Sequence, residues 1–124
     1  MNVNTQKRLQ LRRLIPNLMS KIPMFNKDFH QLSPAEKSLS WIRLHEAENN
    51  EGIRVHSGDP GSYPEVTGYL IPTLIQYGER EFALRCLEWL YCIQRADGSF
   101  TSPEGQPYIF DTGQVLRGLL SGTD

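Results

Sequence analysis

The sequence predicts an all-α protein built from two helical hairpins. Three observations carry that expectation: apolar residues recur at three- and four-residue spacings, Pro and Gly punctuate the ends of those segments, and one pattern returns after about 45 residues. The chain is 124 residues long, 39% hydrophobic and 10% aromatic, enough apolar surface for one folded core and too much for a disordered tail. A net charge of -1 lacks the electrostatic footprint of a general nucleic-acid binder, and none is expected as a partner. The charge is uneven. Residues 1–44 hold eight basic and two acidic side chains, a balance of +6, and the rest hold five and twelve, a balance of −7.

Residues 1–32 read as a basic N-terminal arm. Pro16 and Pro23 interrupt it and leave room for a short amphipathic helix near 5–14. The two hairpins are expected over 33–78 and 79–121. Ser33-Pro34-Ala35-Glu36 is a capping box with Pro at the first helical position, because Ser and Glu side chains can each satisfy an unpaired backbone donor. The helix it opens is expected to reach about Glu48, with Ala35, Leu39 and Ile42 as its stripe, and to stop at Asn49-Asn50-Glu51-Gly52. After a polar loop, Tyr63-Pro64-Glu65 opens a second helix running to Tyr77. Val66 to Gly78 carries no charge, so this helix should be covered on most sides, with a kink where Pro72 meets Gly68. A third helix, Glu79 to Gln94, has Phe82, Ala83, Cys86, Leu87, Leu90 and Ile93 on one face and Glu81, Arg85 and Glu88 nearer the other. Asp97-Gly98 turns the chain, and a fourth helix is expected from Asp111-Thr112 to about Leu120, with Asp111 suited to the N-cap.

The recurrence joins the halves. Thr67-Gly68 and Thr112-Gly113 are each followed by apolar residues at matching positions, and Trp41-Ile42 precedes them as Trp89-Leu90 does. Cys86 and Cys92 lie about 120° apart around one helix and cannot bridge. They read as small core residues of a reducing, cytoplasmic setting. The longest charge-free run is too short and too interrupted for a stable membrane insertion.

Arg85, Trp89-Leu90, Gln94 and Asp97-Gly98-Ser99-Phe100 resemble the QW repeat of the terpenoid cyclase and protein prenyltransferase toroids, with Cys86 where Gly or Ala is usual and Phe100 where Trp is usual. Similar Asp-Gly-Ser-aromatic turns occur in the six-hairpin toroids that process carbohydrates. The stretch from Tyr63 to Leu74, with Phe110-Asp111-Thr112-Gly113-Gln114, is similar to one in bacterial toroids of polysaccharide metabolism. The resemblance covers residues 35–120 and implies an α/α-toroid-like architecture with an incomplete ring. The chain is then either a piece of a longer relative or a short solenoid whose open faces self-associate. Exposed apolar area is expected on Tyr69, Leu70, Leu74, Leu116 and Leu120.

In such toroids the inner-helix starts face the cavity, so the resemblance places Tyr63, Glu65, Asp111, Thr112 and Gln114 there. Glu65 and Asp111 are then the candidate acid/base pair, with Tyr63, Tyr69 and Phe110 as platforms for a saccharide and Thr112 and Gln114 as further contacts. An active form would be a hydrolase, lyase or epimerase, though this chain alone is expected to be inactive. Both carboxylates also suit a first helical turn, where the dipole favours them without any catalytic role. Two other readings stand beside it: a terpenoid-cyclase-like or prenyltransferase-like enzyme fragment, and a non-enzymatic helical-repeat interaction module. No Asp-rich cluster appears, and His30, His45 and His56 lack metal-ligand spacing. No metal or cofactor is called for. His56-Ser57-Gly58-Asp59 reads as a solvated loop.

Overall fold

The computed structural model describes residues 27–59 and 61–123, so the helix anticipated near 5–14 lies outside the described residues. They divide into two compact units, one ending at Leu44 and the other beginning at His45. Among the described residues the regular structure is helical: α1 (Pro34–Arg43), α2 (Pro64–Gln76), α3 (Arg80–Ile93) and α4 (Ile109–Ser121), with 3-10 turns at Lys27–Gln31 and Glu48–Asn50. The only β pairing among them is two isolated bridges, Glu46 with Ile53 and Arg54 with Ser62.

In the first unit the capping box forms as its spacing dictates. Ser33 Oγ accepts the Glu36 amide at 3.3 Å, and a Glu36 carboxylate oxygen accepts the Ser33 amide at 2.7 Å. Those bonds hold the Glu36 carboxyl below its usual range. Lys37 stands over the Phe29 ring, 5.8 Å from its centroid. The helix stops at Arg43, five residues short of the expected end.

The early stop has a cause in the second unit. From His45 the chain turns back on itself: the Ala47 amide donates to Gly52 O at 2.8 Å and the Arg54 amide to His45 O at 2.9 Å. Asn49, Asn50 and Gly52 all take the left-handed conformation that such a reversal needs. At Gly52 the Trp89 ring also closes in, for a Cβ there would come within 2.5 Å of it.

α2 is the hub of this unit, packed against α4 along its length and against α3. Ile53, Ile71, Leu74, Phe82, Ala83, Cys86, Leu90, Phe100 and Val115 form the core. The crossing of α2 and α4 is a backbone contact. A Cβ on Gly68 would lie 2.5 Å from Val115 Cα and 3.0 Å from Gln114 O, and one on Gly118 would overlap the Gly68 carbonyl. Two glycines in register let the helices meet without intervening side chains. α2 runs unbroken through Pro72.

Several expectations change. α2 is covered on the sides facing α3 and α4, but Tyr69, Thr73, Gln76 and Tyr77 are exposed, because two neighbours cannot enclose a helix. Leu74 is buried, since it falls on the α2 face shared with Thr67 and Ile71. Tyr69, Leu116 and Leu120 are exposed and Leu70 half-buried. Cys86 is buried but Cys92 is exposed, being six residues away on another face. Trp41 is exposed while Trp89 is half-buried, so the two tryptophans differ in surroundings.

Candidate functional site

The starts of α2 and α4 are built alike. Tyr63 and Tyr108 occupy their N-cap positions, neither giving a side-chain cap bond. The Thr67 amide donates to Tyr63 O at 3.0 Å and the Thr112 amide to Tyr108 O at 3.1 Å. Thr67 Oγ1 then accepts the Ile53 amide at 2.9 Å, as Thr112 Oγ1 accepts the Phe100 amide at 3.1 Å. In both places a hydroxyl in the first turn pins the incoming loop just where it buries an apolar side chain. Thr112 is therefore engaged by the loop.

That loop is fixed at its other end by Gln94, whose Nε2 donates to Gly98 O at 3.0 Å. Asp97 Oδ1 accepts from the Ser99 amide at 3.0 Å and from its hydroxyl at 2.7 Å, and this holds the Asp97 carboxyl below its usual range. Arg85 forks onto Glu46 through Nε at 2.7 Å and Nη2 at 2.9 Å, and its guanidinium lies 5.4 Å from the Phe82 ring centroid.

α4 begins at Ile109, two residues before the expected start, so Asp111 is inside the first turn and is not the N-cap. Its side chain is buried and instead accepts a hydrogen bond from the Tyr63 hydroxyl at 2.9 Å. Burial, and then the nearby Asp111 charge, raise the Glu65 carboxyl above its usual range. Burial leads, with Asp111 next and Glu65 and Glu104 adding, in pushing the Tyr63 phenol up to about 12. Tyr63 and Asp111 thus meet at one end of the α2–α4 pair, with Glu65 in the first turn of α2 near enough for the Asp111 charge to act on it. Every charge acting on Tyr63 there is negative.

Tyr69 follows Glu65 by four residues on the same face of α2 and is exposed. Phe110, Tyr108 and Ile109 are exposed at the start of α4. Gln114, one turn beyond Phe110, is half-buried and its carbonyl borders the Gly68 crossing. Chemically the cluster offers a carboxyl that keeps its proton to higher pH than usual beside a second carboxylate fixed by a phenol, a pairing suited to proton transfer.

The His45–Ser57 pair escaped the sequence reading, as did the Arg85–Glu46 fork. His45 is buried and its Nε2 lies 2.8 Å from the Ser57 Oγ. Positions twelve apart across an irregular loop carry no periodic signal that would pair them. His56 is exposed, with Nδ1 accepting the Gly58 amide at 3.1 Å. Among the described residues no three His, Cys, Asp or Glu side chains are grouped as metal ligands, and no helix is long and apolar enough to cross a membrane.

No protein-family model, curated protein or solved structure matches the chain. The class defined by the fold is a small all-α protein of four helices among the described residues.

Proposed function

We propose that this chain is a helical-hairpin protein of the α/α-toroid type, related to the toroids that process carbohydrates. In this reading the ends of α2 and α4 bind a saccharide, with Glu65 and Asp111 as the acid/base pair. The observation that carries it is the Tyr63–Asp111 hydrogen bond at 2.9 Å, with Glu65 held protonated to higher pH beside it. A carboxylate that merely capped its own helix would turn to the backbone amides, and Asp111 turns to a tyrosine of another helix. Exposed Tyr69 and Phe110 supply apolar faces of the kind that stack on sugar rings. Thr112 and Gln114 serve this reading as supports of the helix start and the crossing. The site binds without turnover in the isolated chain.

The test is a titration of isotope-labelled protein, followed by amide chemical shifts, with neutral, amine-bearing and uronate oligosaccharides. Shifts confined to the starts of α2 and α4, and lost in Asp111→Asn and Phe110→Ala, are expected. Absence of shifts with every saccharide at millimolar concentration would overturn the reading.

A further inference from the structure

The α2–α4 crossing has a vacant counterpart. α2 meets α4 at Gly68, and Pro64, Ile71 and Ile75 share the Gly68 face of the helix as one stripe by their spacing; Pro64, Gly68 and Ile71 are buried and Ile75 is half-buried. Shifted by the interval that takes Thr67 to Thr112, that stripe becomes Ile109, Gly113, Leu116 and Leu120 of α4. All four are exposed: Ile109 at 92%, Leu116 at 52% and Leu120 at 60%, with nothing within 4 Å of where a Gly113 Cβ would stand. In register, this is the face with which α2 receives α4, and on α4 it is bare.

The complementary stripe is partly open on the same molecule. α4 receives α2 with Asp111, Val115 and Gly118, all buried. The same shift gives Val66, Leu70 and Thr73 on α2, half-buried, half-buried and exposed. These lie on the opposite side of α2 from Gly68. The chain therefore presents a bare stripe on α4 and a partly covered one on α2, and by register they are the two halves of a contact it already makes internally.

We propose that a second copy of this chain fills the open face of α4, placing its α2 stripe Val66, Leu70 and Thr73 against Ile109, Gly113, Leu116 and Leu120. Thr73 stands where Gly118 stands in the internal crossing, so Gly113 alone provides the notch and the helices sit slightly further apart. The contact is heterologous, because the two stripes differ, and each added copy leaves both ends open. Growth beyond a dimer follows, by ring closure or extension. The inference needs only the helix register and is independent of the saccharide reading.

Sedimentation velocity of the full chain over a wide concentration range provides the test. Wild type should grow past dimer as concentration rises. Gly113→Leu fills the notch and Thr73→Arg obstructs the other stripe; both positions have space or solvent around them, so each variant should keep the wild-type helical circular dichroism. Each variant alone should lose association. Mixed together they should form one capped heterodimer and nothing larger, since each retains the stripe the other lacks. A wild type that stays monomeric throughout overturns the proposal. So do variants that associate like wild type, or a mixture that stays monomeric.

Discussion

Replacing Gly68 and Gly113 by alanine should move stability in opposite directions, though both are helical glycines followed by an apolar residue two positions on. At Gly68 a Cβ would lie 2.5 Å from Val115 Cα, 3.0 Å from Gln114 O and 3.0 Å from Val115 N. Carbon atoms in contact prefer about 3.5–4.0 Å, so α4 must retreat by about 1 Å or more. Every obstructing atom is backbone, and no rotamer change relieves the clash. Overpacking of this kind costs about 1–3 kcal/mol. Alanine recovers up to about 1 kcal/mol through helix propensity, leaving a net loss of up to about 2 kcal/mol. At Gly113 nothing stands within 4 Å, so the propensity gain is unopposed. For a domain of this size 1 kcal/mol moves the melting temperature by roughly 4–8 °C. Thermal and urea melts at low protein concentration should place Gly68→Ala below wild type and Gly113→Ala above it. Gly68→Ala melting at or above wild type would refute the backbone crossing.

Four further outcomes are expected. Thr67→Val strands the buried Ile53 amide and should cost about 1–3 kcal/mol in urea unfolding, whereas Thr67→Ser keeps the accepting hydroxyl and should avoid most of that loss; equal midpoints for Val and wild type would remove the pinning role. The Tyr63 phenol, raised from 10.0 to about 12, makes the folded state hold its proton longer, so stability complete below pH 10 should drain away as pH rises toward 12. Tyr63→Phe should flatten that slope, leaving the part due to Cys86, whose thiol burial pushes up from 9.0 to about 12. Glu65 is raised instead from the carboxylate range, so Glu65→Gln should stabilise at neutral pH and lose its advantage as pH falls below the ordinary carboxylate value. A thiol reagent should titrate Cys92 at once in native protein and Cys86 only after denaturant is added; two fast thiols would show that α3 does not bury Cys86.

Local chemistry was the most legible part of the sequence. The Ser33–Glu36 box, Pro64 at a helix start, and the apolar face of α3 each depend on neighbours within four residues, and all three are found. What needed long-range contacts was read less well. The end of α1 is set by the chain reversal from His45 to Arg54, which competes with helix continuation through backbone bonds that no periodicity announces. Both Thr-Gly pairs were visible, yet only their threonines act alike. Gly68 packs on Val115, whereas Gly113 faces open space and Gly118 supplies the other half of the crossing. Among the candidate site residues, Tyr63, Glu65 and Asp111 were named from the sequence, and Tyr63 and Asp111 come together with Glu65 nearby. The Tyr63–Asp111 bond itself was not, because residues 48 apart are joined only once α2 and α4 have crossed.

That dependence ties the crossing to the candidate site. Tyr63 precedes Gly68 by five residues and Asp111 precedes Val115 by four, so the phenol–carboxylate bond sits about one helical turn from the closest backbone approach. A retreat of α4 by about 1 Å, as Gly68→Ala requires, would stretch a 2.9 Å bond beyond hydrogen-bond range. The Tyr63 phenol would then lose Asp111 as an acceptor and gain water, and both changes move its ionisation down from about 12 toward 10.0. The contribution of Tyr63 can be isolated as the difference between alkaline ultraviolet titrations with and without Tyr63→Phe. In the Gly68→Ala background that difference should move to lower pH. If it stays near 12 while the protein is destabilised, the helix starts are held by their own loops, through Thr67 and Thr112, and the crossing sets stability alone.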